Sequence, residues 1–579
     1  MPSNWVIAAP HAAQRELADR LRISPLAAQV LCNRGLLDFD QAKSFFDPKL
    51  NDLLPPSALD GTEKASDLLL GAVKQGRKIV IYGDYDVDGI TGTAILWRVL
   101  RMADANVDYY IPHRLEEGYG INEQAVRQIA ADGADVLITV DCGITACHEL
   151  RIARDLGVKV IVTDHHKCKK HIPCADVVIH PQVSGYAFPH LSGAGVALKL
   201  AWSIAQRFSP GSRVKPEFRE FLLDATSLAA LGTIADVVPL LGENRILTRF
   251  GLLGLANSKN TGICALLTAA NLTGQSLHSD HVGYLLAPRL NAAGRLGHAG
   301  LCVEMFTRAD PQRAIEIATY LEEQNRRRQA IEKQIAAQAR QMVLDAGMDR
   351  ESFKAIVLAE RGWHPGVIGI VASRLVDEFC KPVVLVSFAT DGDEPVGQGS
   401  ARSIEGFALH EALDTCAKHL VSCGGHEMAA GLRVHRDNLE AFTRAFFECA
   451  ASKLRTEDLA RTLRLDAEAD LSLVNPNLIA ELNRLAPFGQ ANPKPRFASM
   501  WLRLSGPPRI VGRNQDHVQL NVTDGRTVRK AVGFGMARRL SSLTARDQFR
   551  LAFEAIANEW NGRMTAELRI VDVQVASGP

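Results

Sequence analysis

Short apolar runs recur along the first third of the chain, each followed at once by charged residues. KIVIY (78–82) leads into GDYDVDG, VLITV (136–140) into DCG, and VKVIV (158–162) into TDHH. Runs of this kind, bounded by turn residues, read as strands buried on both faces. Between them, stretches such as ITGTAILWRVLRMA (90–103) read as helices. The alternation predicts a parallel sheet covered by helices, from about 61 to 300. In such sheets ligands collect beyond the carboxyl ends of the strands. The acidic clusters fall at those ends.

Further on the pattern changes twice. Residues 314–343 lack glycine and place Ile317, Leu321, Arg328, Ile331 and Ile335 at helical spacing, which predicts one or two long helices between domains. For Arg326 to Arg328, a solvated face and a contact to phosphate are both open. A second α/β unit follows, with FKAIVLAE, KPVVLVSF and the helical GVIGIVASRLVDEF. From about 465 the runs shorten and alternate, as in HVQLNVT and RKAVGFG, broken by Gly, Asn and Asp. That predicts a small β-barrel of oligonucleotide-binding (OB) type, though a β-sandwich gives the same periodicity.

The 579 residues suit three or four domains, and no apolar run is long enough to span a membrane. The start of the chain lacks a signal-peptide pattern, so a cytoplasmic protein is expected. Eleven scattered cysteines without a CxxC pair argue against a disulfide framework, and HHKCKKHIPC (165–174) has no common zinc spacing. A net charge of +1 gives no bulk attraction to nucleic acid, so a polyanion site has to come from local clustering.

The chemistry sits in the clusters. Alternate positions in an extended segment put Asp84, Asp86 and Asp88 on one side. A calcium loop would need a glutamate where Ile95 stands, and a solvated acidic turn remains the plain alternative. Asp141 is a strand-end carboxylate that could also cap a helix. His165 and His166 are adjacent, so they point to opposite faces and do different work. Taken with Asp164 and with Asp236 in LAALGTIADVVPL, these groups suit a pair of divalent cations and metal-assisted hydrolysis of a phosphate ester. Arg289, Asn291 and Arg295 in RLNAAGR, and Ser400 and Arg402 in GSARS, offer donors for phosphate oxygens. No GKS or GKT follows GGHEMAAG around His426, so this is not a nucleotide-hydrolysing loop. Trp363 and His364 could contact a nucleotide or lie in an interface. Arg503, Arg509, Arg513, Arg526, Arg529 and Lys530 could track a backbone.

The ordered motifs DYDVDG, VDCG, TDHH, GTIADVVPL, APRLNAAGRLGHA, WHPGVIGIVASRL, GSARS, CGGHEMAAGL and LAPFGQANPKPRF resemble the DHH phosphoesterase superfamily, and within it the RecJ-type single-strand-specific exonucleases. The resemblance covers nearly the whole chain. It implies an N-terminal segment packed on the catalytic domain (1–60), a DHH catalytic domain (61–308), a helical linker (309–348), a DHHA1 substrate-binding domain (349–455) and an OB-type barrel (456–579). It implies Asp86, Asp88, Asp141, His165 and Asp236 as ligands of two Mn²⁺ or Mg²⁺ ions, with Asp141 bridging, Asp84 beside them and His166 near the phosphate. Arg114, Ser400 and Arg402 then resemble a 5′-phosphate pocket, and His426 belongs to the domain facing the metals. The implied activity is 5′→3′ hydrolysis of single-stranded DNA to 5′-mononucleotides in repair and recombination. A monomer is expected, with a single-strand-binding protein and a RecQ-type helicase as partners. A phosphodiesterase of short oligonucleotides or cyclic dinucleotides, or a scaffold without catalysis, are the rival readings.

Overall fold

The computed structural model describes residues 4–576, apart from 114–116, 119, 169–170, 212, 391–394 and 561–562. The expected parallel sheet is present. Strand β1 (Asn4–Ile7) precedes it without joining, and β2 (Lys78–Gly83), β3 (Asn106–Tyr110), β4 (Val136–Val140), β5 (Lys159–Thr163) and β6 (Val177–Ile179) build it. They lie in the order β3-β2-β4-β5-β6, every pair parallel. The chain winds outward from β2 in one direction and returns to its other side with β4. That reversal opens a crevice beyond the ends of β2 and β4. Ile79, Ile81, Ile138 and Ile161 face one core, and Val80, Tyr82, Leu137 and Val160 face a second, so both sides of the sheet are covered. This explains why the strands are apolar throughout rather than alternating.

One continuous helix, Pro311–Asp345, links this unit to the next. At 1.5 Å per residue it spans about 50 Å. Its first half buries Ile317 and Leu321 in the first core, and its second half buries Ile335, Ala339 and Val343 against the second unit. Between the two halves, Arg328 is buried and held by Glu332 (2.6 Å) and Asn325 (2.9 Å). Arg374 reaches the other oxygen of Glu332 at 2.6 Å. The Arg326–Arg328 run is therefore neither a uniformly solvated face nor a free phosphate clamp. Arg326 is exposed and paired with Glu322, while Arg328 is held within the linker helix by Glu332, whose other oxygen ties the linker to Arg374 of the second unit.

The second sheet contains β7 (Ile356–Arg361), β8 (Val383–Phe388), β9 (Val396–Arg402), β10 (Ser422–Gly425) and β11 (Ala429–His435), in the order β10-β11-β9-β8-β7. After β12 (Thr462–Leu465), the third unit holds β13 (Ala467–Ala469), β14 (Phe497–Ser499), β15 (Arg503–Leu504), β16 (Arg509–Val511), β17 (His517–Thr523), β18 (Val528–Gly533), β19 (Phe549–Trp560) and β20 (Arg563–Val575). Here β15, β17, β18, β20 and β19 follow one another, with β18 and β20 parallel. A bridge from Leu502 to Phe549, with both amides bonded (2.8 and 3.1 Å), brings the β15 segment back to β19. The bridge links the β15 segment to β19 within one sheet, which favours the OB-type reading over two stacked sheets.

The N-terminal segment departs from expectation. Leu17, Leu26, Val30, Leu31, Phe45 and Phe46 pack into the core of the third unit, and β1 pairs with β12. The end of the segment, with Leu53, Leu54 and Leu59, joins the core of the first unit. Short amphipathic helices advertise an apolar face but not which distant surface covers it. The catalytic and third units are joined by Arg245, which is 2% exposed. Its guanidinium donates to the carbonyls of Phe45 (3.0 Å), Leu485 (2.7 Å) and Arg484 (3.2 Å) and lies 3.8 Å over the Phe45 ring. Burial pulls its pKa down to about 9. Arg245→Met keeps much of the volume and removes every donor. It is expected to lower the stability of the first denaturant transition by about 3 kcal/mol, because buried carbonyls lose charged partners. An unchanged transition would show that the joint does not depend on this side chain.

Candidate metal centre

The hydrogen-bond ladder of the parallel sheet continues one residue beyond the strands, and each time that residue is an aspartate. The Asp84 amide bonds Val140 O (3.1 Å), the Asp141 amide bonds Thr163 O (3.0 Å), and the Asp164 amide bonds Ile179 O (3.3 Å). Three carboxylates are thus fixed along the edge of the crevice by their own backbones. Asp141 has φ of 62°, a left-handed conformation rare for a non-glycine residue and a form of strain that clusters at functional sites.

The helix Val87–Met102 brings the next two. Asp86 caps its N-terminus, accepting from the amides of Asp88 (2.9 Å) and Gly89 (3.1 Å). Asp88, within the first turn, accepts from the amides of Gly193 (2.5 Å) and Ala194 (3.0 Å) at the start of the helix Gly193–Arg207. Asp236 ends the helix Pro216–Ala235. Two glycines permit this crowding. A Cβ on Gly193 would lie 2.6 Å from Asp141 Oδ1, and one on Gly232 would collide with Asp88.

These groups converge on His165. Its Nε2 lies 3.0 Å from Asp141 Oδ1, 3.4 Å from Asp236 Oδ2 and 3.8 Å from Asp88 Oδ2. Yet neither His165 Nε2 nor Asp141 Oδ1 has a hydrogen-bond partner, although both are buried. Ligand atoms of Asp84, Asp86 and Asp141 form one compact set, those of Asp88, His165 and Asp236 another, and those of Asp141, His165 and His166 a third. Asp141 and His165 each belong to two of the three, and of the two the carboxylate, with two oxygens, is the group that could be shared between two cations.

The electrostatics point the same way. Burial, then the charge of Asp86, pushes Asp88 up to about 7. Burial, then Asp88 and Asp86, pushes Asp236 up to about 9. Burial and the same neighbours hold Asp141 well above the carboxylate range. Burial, with the charge of His166, pulls His165 down to about 3, leaving a neutral imidazole with a lone pair to offer. Acids that repel one another around a neutral imidazole and orphaned buried atoms fit hard or borderline divalent cations.

Asp164 does different work. Its Oδ1 accepts from the amides of His165 (2.7 Å) and His166 (3.1 Å) and meets His166 Nδ1 at 2.8 Å, while Oδ2 accepts from the Ile144 amide (2.9 Å). Burial opposes its ionisation, but His166 and these amides outweigh it and hold Asp164 at about 2. Burial likewise opposes the charge on His166, and the Asp164 carboxylate outweighs it, raising His166 to about 9. Asp164 therefore aims the histidine pair, and His166 brings a proton to the edge of the cluster.

A groove of about 610 Å³ lies between the first two units, lined by Glu117 and Gly118 on one side and by Gly399, Ser400, Arg402 and Gly425 on the other. Arg402 Nη1 bonds Ser400 Oγ (3.1 Å) and Ala401 O (2.8 Å). His426 is exposed in the turn after β10, next to Gly425. Asn291 and Arg295 line a smaller cavity that also touches Ala235 and Val237, on either side of Asp236. Arg295 Nη1 bonds Gly366 O (2.8 Å) across to the second unit. Arg289 turns instead to Glu322 (2.7 Å) and Leu285 O (2.6 Å), which makes it part of the helix framework. Arg114 lies outside the described residues. Trp363 is buried, its indole N–H on Gln338 (2.9 Å), and His364 caps the helix Pro365–Phe379. Both are interface residues.

The reading by motif missed Gly193 and Ser192, which start the helix that holds Asp88. Their signal was present in LSGAGVAL, a Ser N-cap before an apolar helix.

Comparison with known proteins gives a consistent result. Family models match over residues 78–230 (DHH family, N-terminal domain), 352–452 (DHHA1 domain) and 465–572 (RecJ OB domain). The chain is similar to the single-stranded-DNA-specific exonuclease RecJ of Bacillus subtilis (strain 168), 36% identical over 575 residues, covering 99% of this chain and 71% of that one. It is also similar to the crystal structure of RecJ from Thermus thermophilus in complex with Mn²⁺. That match has a TM-score of 0.83 at 33% identity and covers 99% of this chain and 80% of that one. The Mg²⁺ complex from the same source matches with a TM-score of 0.78 at 31% identity, covering 99% and 79%.

The raised acids set a pH signature. With Asp88 and Asp236 above their ordinary range, the metal-free folded chain binds more protons than the unfolded chain between about pH 4 and 9. Its stability therefore falls as pH rises through that window. Melting temperature measured from pH 5 to 9 in EDTA should decline, and saturating Mn²⁺ should raise and flatten it. A flat profile in EDTA, or no response to Mn²⁺, would contradict the cluster as drawn.

Proposed function

The chain belongs to the RecJ family of single-stranded-DNA-specific exonucleases, and from that premise we propose how its own residues carry the reaction. It is a metal-dependent phosphodiester hydrolase of single-stranded DNA, working with Mn²⁺ or Mg²⁺. Asp86, Asp88, Asp141, His165 and Asp236 hold two cations, Asp141 serving both, with Asp84 completing the wall beside Asp86. Bound there, the ions supply Lewis acidity and neutralise charge at the phosphodiester being cut. His166, protonated and steadied by Asp164, donates a hydrogen bond to a phosphate oxygen.

The observation that carries this reading is the convergence of five aspartates and two histidines into overlapping ligand sets, with the buried His165 Nε2 and Asp141 Oδ1 left without hydrogen-bond partners. Ser400 and Arg402, with Arg114, receive the 5′-terminal phosphate, and Asn291 and Arg295 hold the phosphate nearer the cluster. His426 contacts the strand from the rim. A terminal phosphate held at a set distance from the cut gives 5′→3′ polarity and release of 5′-mononucleotides. A groove between two packed units admits one strand and excludes a duplex by width.

Residues 61–308 cut and 349–455 take the 5′ end, with 309–348 as spacer, while 456–579 lead the incoming strand. Arg503, Arg509, Arg513 and Arg526 are exposed for that last task. Arg529 and Lys530 are held by Val474 O (3.0 Å) and Glu567 (3.1 Å). No helix among the described residues is long and apolar enough to cross a membrane. We place the protein in the cytoplasm as a monomer acting in repair and recombination, with a single-strand-binding protein and a RecQ-type helicase supplying its substrate.

Two substitutions test the division of labour. Asp141→Asn should cut turnover of a single-stranded oligonucleotide by roughly a thousandfold while DNA binding persists. Arg402→Ala should raise KM for a 5′-phosphorylated strand by about tenfold and abolish its advantage over a 5′-hydroxyl strand. End-labelled strands blocked at either end read the polarity. Digestion from the 3′ end would overturn the phosphate assignment, and an active Asp141→Asn protein the ligand assignment.

A further inference from the structure

The segment LAPFGQANPKPRF (485–497) belongs to the third unit, yet donors of the first unit take several of its carbonyls. Phe488 O accepts from Ser279 Oγ, and Gln490 O accepts from the Leu240 amide at 2.9 Å. Lys494 pairs with Asp280. Asn492 is fully buried and closes the loop from within. Its Nδ2 donates to Leu485 O (2.9 Å) and Pro487 O (2.7 Å), and its backbone exchanges hydrogen bonds with Gly489 (2.9 and 3.1 Å).

One of these anchors lies close to a metal-ligand candidate. Leu240 follows Asp236 by four residues, and between them the chain makes a strained turn. Val237 has φ of 60° and is 63% exposed, so its own side chain does little to hold it there. A β-branched residue keeps a left-handed backbone only where its surroundings impose it. Those surroundings lie just downstream. Asn244 Nδ2 donates to Pro239 O (3.1 Å), Gln490 O holds the Leu240 amide, and Leu241 packs on the core of the third unit. A Cβ on Gly489 would lie 2.6 Å from Leu240 Cδ1, so the loop comes this close because it carries glycine.

We propose that the loop 485–494 is a positioning element of the metal centre. By holding Leu240 it keeps the Val237 turn closed and the Asp236 carboxylate aimed at His165, 3.4 Å away. The third unit then acts on the chemistry through one ligand, besides any contact to the strand. The inference rests on the two-cation assignment and concerns the ion held by Asp88, His165 and Asp236. The set of Asp84, Asp86 and Asp141 is fixed by the sheet ladder and by a helix start, apart from this loop.

The test is a Mn²⁺ titration of the full chain without DNA, followed by electron paramagnetic resonance, which counts the bound ions and separates their affinities. Two ions are expected on the unaltered protein. Gly489→Val drives a side chain into Leu240, and Asn492→Ala loosens the loop without filling that contact. In each variant one ion should weaken by roughly tenfold, as when a group supporting a metal ligand is removed, while the other keeps its affinity. Adding Val237→Gly, which adopts a left-handed turn without a clamp, should restore the weakened ion. A general structural fault would weaken both ions alike and would not be reversed by that glycine. Loop variants that hold both ions as tightly as the unaltered protein, that lose both together, or that Val237→Gly does not rescue would overturn the inference. A single ion, or none, on the unaltered protein would overturn the two-cation assignment itself.

Discussion

Carboxylates crowded into a buried space repel one another, and the catalytic unit is organised around bearing that repulsion. Part of the compensation comes from backbone amides. The Gly193 and Ala194 amides neutralise part of Asp88, the start of its own helix holds Asp86, and the sheet ladder fixes Asp84 and Asp141 from behind. Amides at helix starts stabilise anions without occupying the space in front of them. The carboxylate faces toward the crevice stay open for cations, which a cationic side chain would have filled.

The same economy explains the glycines. Gly193 and Gly232 lie inside or at the start of helices, where glycine weakens a helix by roughly 1 kcal/mol relative to alanine. Each stands where a Cβ would strike a carboxylate of the cluster. Local helix stability is given up so that three helices can bring their ends within reach of one another. Asp141 carries a related burden in its backbone, held left-handed by the strand ends on either side.

Much of this was legible in the sequence because period and punctuation carried it. Continuous apolar runs gave the parallel sheet, and acids just past them gave the crevice. What stayed hidden depended on contacts between distant segments. The helices of residues 17–46 show an apolar face, but nothing local says that it is covered by the third unit, more than four hundred residues away. Arg289 and Arg295 look alike in RLNAAGR, yet the first turns to Glu322 and the second crosses to Gly366, a difference set by packing. Arg328 reads as one of three arginines on a helix and is in fact part of a buried bridge with Glu332 and Arg374. Asp84 could not be ranked by spacing, and its grouping with Asp86 and Asp141 gives it a place at the wall.

On the proposed assignment of Ser400 and Arg402, these distant contacts make the groove a measure rather than an opening. Glu332, buried on the linker helix and paired there with Arg328, also holds Arg374 of the second unit, and losing its arginines would leave a buried carboxylate unpaired. Arg245 joins the catalytic unit to the third unit, and Arg295 reaches the carbonyl of Gly366 in the second unit. Stiff joints on both sides leave the distance from Ser400 and Arg402 to the acid cluster with little freedom to vary. A site that has to place each successive phosphodiester at the same point, whatever bases the strand carries, depends on that fixed distance more than on any contact to a base edge.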